Sequence, residues 1–95
     1  MTAYWMKTCC RAKIRSLVSG AIHYGECTHL SVDGIIIRSS YVPQFAERLE
    51  ITMIPTAVGA CRTTPFVTET EVRHCQALDH GELVEFGVLI KARRG

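Results

Sequence analysis

The stretch Leu49-Glu50-Ile51-Thr52-Met53-Ile54 decides the fold class of this chain. Its apolar residues alternate with Glu50 and Thr52, which is the period of two expected of a strand with one buried face. Pro55 follows directly and ends the strand, because proline has no N–H to give to a sheet ladder. The stretch therefore predicts a half-buried β-strand.

Similar short segments recur on both sides of this strand, separated by turn residues. Leu83 to Ala92 is an apolar strand interrupted by Glu85 and Gly87. Pro65 falls within another segment and indicates an edge or a bulge there. The other predicted strand segments are two short pieces in 14–24, then 30–33 ending at the Asp33-Gly34 turn, 63–67 and 68–72. Many short strands joined by Gly-, Pro- and Asp-containing turns indicate a closed barrel, which leaves no exposed sheet edge.

Residues 34–48 allow two interpretations. Ile35 to Ser40 is compatible with a strand or with one helical turn, since periodicity cannot distinguish them in so short a run. Pro43 can open a helical turn that extends to Arg48, because its fixed φ suits the first helical position. We therefore predict a mainly β barrel of six or seven strands with one or two short helices, one of them within residues 34–48.

Length and composition predict one domain over residues 1–95 that forms a homo-oligomer. A 95-residue chain fits one core, and such a core buries only roughly 60 to 65% of the unfolded surface. The hydrophobic content is 47%, so association with further copies would cover apolar surface. Association would also add stability to a small core.

The distribution of charge argues against nucleic-acid partners, and the short apolar runs argue against a membrane partner. Eleven basic and nine acidic residues leave a net charge of +2, and the two signs are interspersed except at Lys91, Arg93 and Arg94. Nucleic-acid binding would need a concentrated basic stripe. No apolar run approaches the twenty residues or so of a membrane span.

The cysteines and histidines predict free thiols and no metal site. Five cysteines form an odd set with no CxxC pair, which favours a reducing cytoplasm. Cys9 and Cys10 are adjacent, so on a strand one of the two thiols would face the core. The spacings of the four histidines match no structural zinc pattern. The histidines are His23, His29, His74 and His80.

Several short motifs, in unbroken order, resemble the aspartate 1-decarboxylases. Lys13-Ile14-Arg15, followed by Ile22-His23-Tyr24-Gly25-Glu26-Cys27, is similar to the opening of that family. The further matching segments are 32–34, 48–51, 62–67 and 80–84. The similarity extends from roughly Lys7 to Ala92, and it implies a double-psi β-barrel.

The resemblance also implies a place for self-processing. In that family, cleavage at a Gly-Ser pair converts the serine into a catalytic pyruvoyl group, and the matching pair here is Glu26-Cys27. A thiol can attack the preceding carbonyl as a hydroxyl does. Glu26 departs from the family, because a residue with a Cβ resists the strained backbone that glycine permits.

The resemblance implies a set of candidate site residues. The family's lysine, tyrosine and substrate-binding arginine have counterparts in Lys13, Tyr24 and Arg62, whereas its catalytic tyrosine is replaced by Phe66 and a histidine by Arg15. The candidate catalytic residues are Tyr24, Glu26, Cys27 and Lys13. The candidate substrate-binding residues are Arg62, Arg15, Phe66 and Thr64. The alternative is that these are surface or interface residues kept with the fold.

The first functional hypothesis is a cytoplasmic enzyme without a cofactor, acting on a small molecule. A preformed apolar pocket would suit cyclisation or cycloaddition of a polyketide-like intermediate, where folding the substrate supplies much of the acceleration. The second is a pyruvoyl-dependent amino-acid decarboxylase, with the pyruvoyl group derived from Cys27. The third is a non-catalytic binding module, which is expected if the barrel interior is filled by its own side chains.

Overall fold

Six antiparallel strands close into a barrel. The computed structural model describes residues 5–54, 66–78 and 81–94, apart from the side chains of Cys9, Phe66 and Arg94. The strands are β1 (Met6–Ser16), β2 (Ile22–Leu30), β3 (Gly34–Ser39), β4 (Arg48–Ile54), β5 (Phe66–Leu78) and β6 (Leu83–Arg94). Around the barrel their order is β1-β2-β3-β6-β5-β4, and β4 pairs back onto β1. The predicted mainly β barrel of six or seven strands is confirmed, with six strands closing it among the described residues.

The hydrophobic core of the described residues consists of inward-facing side chains. Along β4 the predicted alternation is observed, with Leu49, Ile51 and Met53 buried and their neighbours half-buried or exposed. Among the described side chains, Phe86 on β6 is the largest that is fully buried. The other inward-facing hydrophobic residues are Cys10, Ala12, Ile14, Cys27, Ile35, Ile37, Val72, Val84 and Val88.

Two buried threonines show how polar groups are accommodated in this interior. Thr68 and Thr70 on β5 are completely buried. Their hydroxyls donate to the backbone carbonyls of Ile51 and Leu49, at 3.3 and 3.0 Å. Among the described residues, every buried side-chain nitrogen or oxygen has a hydrogen-bond partner. The buried polar side chains of the described residues therefore keep their hydrogen bonds inside the barrel.

The helix predicted within residues 34–48 does not form, and this part of the prediction is wrong. Residues 34–39 form β3. This strand is stabilised by hydrogen bonds to β2 on one side and β6 on the other, and by the burial of Ile35 and Ile37 on its inner face. Residues 40–47 form a loop instead of a helical turn. Its last part is a turn in which the N–H of Glu47 donates to the carbonyl of Gln44 at 3.1 Å.

The loop is attached to β5 through an unusual backbone conformation. Ala46 has a φ of 67°, in the left-handed region, which costs a residue with a Cβ about 1 to 2 kcal/mol. Its N–H donates to the carbonyl of Val72, and the N–H of Val72 donates to the carbonyl of Glu47. The two hydrogen bonds fix residues 46 and 47 against the end of the barrel.

The cysteine prediction is correct only in part. Cys27 and Cys75 have free thiols, but Cys10 is disulfide-bonded to a partner outside the described side chains, so the expectation of free thiols is wrong there. Cys10 is 5% exposed and faces the core, as one of the two adjacent cysteines was predicted to do. Disulfides persist in oxidising compartments and are rare in the cytoplasm. The predicted cytoplasmic location stays a prediction.

Other expectations fall outside the described residues or concern the membrane. The first three residues of the predicted strand segment 63–67 belong to the undescribed ranges. Within the described ranges, no helix has the length and the apolar character that crossing a bilayer requires.

Candidate functional site

Two predicted site residues are direct neighbours on the outside of the barrel. Lys13 on β1 is paired with Tyr24 on β2, and both side chains point outward. Tyr24 is 50% exposed, and the guanidinium of Arg11 lies 5.5 Å from the centroid of its ring. Sequence reasoning did not single out Arg11, although its separation of two from Lys13 places both on one face of β1.

The predicted Glu26-Cys27 pair is divided between the two faces of β2. Glu26 is exposed, whereas Cys27 is fully buried and donates its S–H to the carbonyl of His29 at 3.5 Å. Burial raises the pKa of the Cys27 thiol to about 11, against a smaller lowering by that hydrogen bond. Cys27 is therefore a protonated thiol at neutral pH, on the opposite face from Tyr24.

The other predicted residues divide between the outer face of the barrel and the undescribed part of the chain. The Nε atom of Arg15 lies 3.1 Å from a carboxylate oxygen of Glu50 on β4. Arg62 and Thr64 lie outside the described residues, and so does the side chain of Phe66. Of the predicted set, Lys13 and Arg15 on β1 and Tyr24 and Glu26 on β2 therefore share the outer face of two paired strands, with Lys13 opposite Tyr24.

A different site is formed by two loops at one end of the barrel. The β1–β2 turn (17–21) and the β3–β4 loop (40–47) enclose a cleft of about 420 Å³, which we name the barrel-end cleft. It is lined by Ser16, Val18, Ser19, Tyr41, Val42, Gln44, Phe45, Ala46 and Glu47.

The carboxylate of Glu47 is the centre of the polar side of the barrel-end cleft. The hydroxyls of Tyr41 and Ser16 both donate to its Oε2, the second of them at 2.9 Å. The backbone N–H of Gln44 donates to its Oε1 at 2.9 Å. Ser16 also accepts from the N–H groups of Val18 and Ser19, at 3.2 Å each, so one network joins both loops.

This network changes the acidity of both partners. Burial, together with the hydrogen bond and the negative charge of Glu47, raises the pKa of Tyr41 to about 12. Burial alone would raise the pKa of Glu47, but the hydrogen bonds from Tyr41, Gln44 and Ser16, with a contribution from His23, lower it below its ordinary 4.5. At neutral pH the cleft therefore holds a neutral phenol beside an ionised carboxylate.

His23 supports Tyr41 from inside the barrel mouth. The two rings are stacked, with centroids 4.1 Å apart and planes 17° from parallel. A stack of this kind holds the phenol in place for its bond to Glu47. Among the described residues, no group of three or more His, Cys, Asp or Glu side chains is arranged to hold a metal ion.

We expect the contribution of Glu47 to stability to depend on pH. Its pKa is lowered in the folded state, so the stabilisation is present above the ordinary 4.5 and is lost as the pH falls through the folded-state value. Glu47→Gln should reduce the free energy of unfolding at pH 7 by about 1 to 2 kcal/mol, from weakened charge-assisted hydrogen bonds. Urea unfolding at pH 7 and pH 2 measures the difference.

The control for this prediction is Glu82→Gln, at an exposed glutamate in the β5–β6 turn. It should change the stability little at either pH, because exposed substitutions usually do. A Glu47→Gln deficit of the same size at both pH values would contradict the prediction.

The rim of the barrel-end cleft is apolar and exposed. The exposed fractions are 79% for Val18, 62% for Val42 and 71% for Phe45. The guanidinium of Arg73 lies 5.8 Å from the centroid of the Phe45 ring, so the ring is flanked on one side. Single exposed hydrophobic residues are common, but here three of them line the same cleft and form its apolar rim.

Sequence reasoning missed the residues of the barrel-end cleft. Phe45 and Val42 carried a readable signal, because large apolar residues in a loop are unusual unless they are buried or functional. Glu47 carried no such signal. Its partner Ser16 is 31 residues away in the sequence, and only the closed barrel brings the two together.

A second, smaller groove lies on the outer wall near the other end of the barrel. Its volume is about 170 Å³, and Trp5, Arg73 and His74 contribute to its lining. The ring of Trp5 lies over Gly34 and the ring of His74 over Gly87, where any Cβ would meet them at 2.9 and 2.6 Å. At both glycines, the absence of a Cβ therefore leaves room for an aromatic ring to pack against the strand.

Comparison with known proteins shows a shared fold. No protein-family model matches this sequence, and no curated protein matches it significantly. Among solved structures, Bacillus subtilis inhibitor of motility (MotI/DgrA) superposes with a TM-score of 0.76 at 14% identity. The match covers 97% of this chain and 43% of that protein, so the chain spans less than half of its length. The likeness and the closed six-stranded barrel fit the expected double-psi barrel type of fold, while a relation to aspartate 1-decarboxylases stays a prediction.

Proposed function

We propose that this chain is a non-catalytic interaction module whose contact surface is the barrel-end cleft. The observation that carries the proposal is the exposure of Val18, Val42 and Phe45 around one cleft. Exposed apolar patches bordered by polar groups are typical of surfaces that bind other proteins. The loops that form this surface are held on a rigid barrel, a common arrangement for recognition.

The hydrophobic core of the described residues also supports this proposal. Phe86 and the other buried side chains occupy the described inward-facing positions of the barrel, which favours a contact surface on the outside over a substrate pocket among these residues. The structural neighbour is named an inhibitor of motility. Inhibition by docking onto a partner protein requires a binding surface and no catalytic group, and we propose a regulatory role of that kind for this chain.

Crosslinking in cells that express the chain tests the proposal. A photoreactive benzoylphenylalanine at position 42 should give one discrete adduct with a partner protein. Phe45→Ser should reduce its yield at least tenfold, since truncating a central aromatic anchor commonly costs about 2 kcal/mol or more of binding energy. An adduct with twice the mass of the chain would identify the predicted homo-oligomer.

The chain provides a matched control for this experiment. Val18 and Val32 are both 79% exposed, but Val32 lies in the β2–β3 turn at the opposite end of the barrel. Val18→Ser should weaken the adduct and Val32→Ser should not. Equal effects of the two substitutions, or an adduct that survives Phe45→Ser, would refute the barrel-end cleft as the contact surface.

A cofactor-independent enzyme remains the alternative proposal, because Lys13 and Tyr24 do share one outer face. Tyr24→Phe separates the two functions. An enzyme that uses the phenol should lose turnover by roughly tenfold or more, whereas the interaction module should keep its adduct yield.

A further inference from the structure

Glu47 differs from the other half-buried glutamates in its partners. The described residues contain five half-buried glutamates, and four of them form ion pairs with arginine or lysine. These four are Glu50, Glu69, Glu71 and Glu85. Glu47 instead accepts from two hydroxyls and one backbone N–H, all of them neutral. Among the described residues, no lysine or arginine forms an ion pair with it, and His23 contributes to it only electrostatically.

The carboxylate of Glu47 also retains capacity for one more donor. A carboxylate offers about four lone-pair sites, two on each oxygen. Tyr41 and Ser16 occupy those of Oε2, and Gln44 occupies one of Oε1. One acceptor position on Oε1 is left, in a side chain that lines the barrel-end cleft.

The surroundings of that position define the group that fits. An incoming donor that carries positive charge would supply the missing ion pair, and its apolar stem would lie against the exposed rim of Val18, Val42 and Phe45. Lysine has this form, because it combines a flexible hydrocarbon stem with a compact ammonium group. The forked guanidinium of arginine has no bidentate match here, since Oε2 is already occupied.

We propose that the barrel-end cleft binds a lysine side chain of a partner protein, flanked by apolar residues, with the ammonium group on Oε1 of Glu47. This inference rests on the proposed function, because it names the chemistry of the partner at the same surface. A lysine side chain complements both parts of the cleft. Its ammonium group pairs with the ionised carboxylate on the polar side, and its apolar stem contacts the exposed hydrophobic side chains around it.

Two short peptides that differ in one charge test the inference. Acetyl-Leu-Lys-Leu-amide carries the ammonium group, and the same peptide with Nε-acetyl-lysine is neutral. Titration of the isotope-labelled full chain, followed by the amide signals of residues 44–47, measures both affinities. We expect the charged peptide to bind at least tenfold more tightly, and this preference to fall as NaCl is raised from 50 to 500 mM.

Variants separate this inference from the proposed function. Glu47→Gln should bring the charged peptide to the affinity of the neutral one, while Phe45→Ser should weaken both peptides, and Val32→Ser should weaken neither. If the wild-type chain binds both peptides equally at residues 44–47, the lysine inference is wrong and the interaction surface stands. If neither peptide shifts these signals, the lysine inference is also wrong.

The test does not depend on the folding of Glu47→Gln. Loss of the Glu47 network could unfold the loop in that variant, but the two peptides compare the charge on the wild-type chain itself. A charged-to-neutral affinity ratio near one in the wild-type chain therefore overturns the inference by itself.

Discussion

Replacing Gly25 by alanine should destabilise the barrel by about 2 to 3 kcal/mol, from overpacking against a backbone that cannot move aside. A Cβ at Gly25 would lie 2.6 Å from the carbonyl oxygen of Arg38 and 2.9 Å from the Cβ of Ser39. Gly25 is paired with Ser39 across β2 and β3, so relief of the clash must separate the two strands. Such a loss is a large part of the stability of a small domain.

Gly87→Ala is the matched control, because it also places a Cβ in a crowded position on a strand. The obstacle there is the ring of His74, whose Cε1 would be 2.6 Å away. His74 is exposed and can rotate out, so this substitution should cost no more than about 1 kcal/mol. Denaturant unfolding measures the free energy of unfolding of both variants. Similar losses of stability in the two variants would contradict the prediction that the backbone of β3 makes Gly25→Ala the more costly substitution.

The second large effect is expected at Phe86. Phe86→Ala should lower the free energy of unfolding by about 3 to 5 kcal/mol, since it removes a buried ring and leaves a cavity. The ring is completely buried on the inner face of β6. The prediction therefore also measures how tightly the barrel interior is packed.

Phe86→Leu is the companion variant and should cost about 2 kcal/mol, because fewer buried carbons are removed. Unfolding in urea, with the slope compared between variants, separates lost stability from a changed unfolded state. A loss below about 2 kcal/mol for Phe86→Ala would indicate a loosely packed interior. That outcome would favour the enzyme alternative, which needs room inside the barrel.

The strands were predictable where burial alternates along the chain. Leu49, Ile51 and Met53 all face the interior, as their spacing of two predicts. The same rule, applied to β2, could have shown that Tyr24 and Cys27 lie on opposite faces, because they are an odd number of positions apart. The site prediction combined them through a family resemblance that carries no information on the face of each side chain.

The helix prediction failed for a reason that local sequence does not contain. Ile35 to Ile37 and Pro43 to Arg48 each have residues compatible with a helical turn. β3 is a strand because β2 and β6 both hydrogen-bond to it. The following segment is a loop because residues 46 and 47 bond to Val72 on β5. Tertiary pairing of this kind overrides weak local preference.

The sequence by itself determined the class of the fold, since period-two alternation and turn residues are local properties that survive without knowledge of the partner strands. It also determined the net charge of +2. Only the tertiary structure decided the site. Ser16, Tyr41 and Glu47 meet because barrel closure brings the end of β1 beside the β3–β4 loop, and hydrogen bonds between them cross up to 31 positions of sequence. Contacts over such separations depend on which strands pair and on the closure of the barrel, which the alternation along a single strand does not specify.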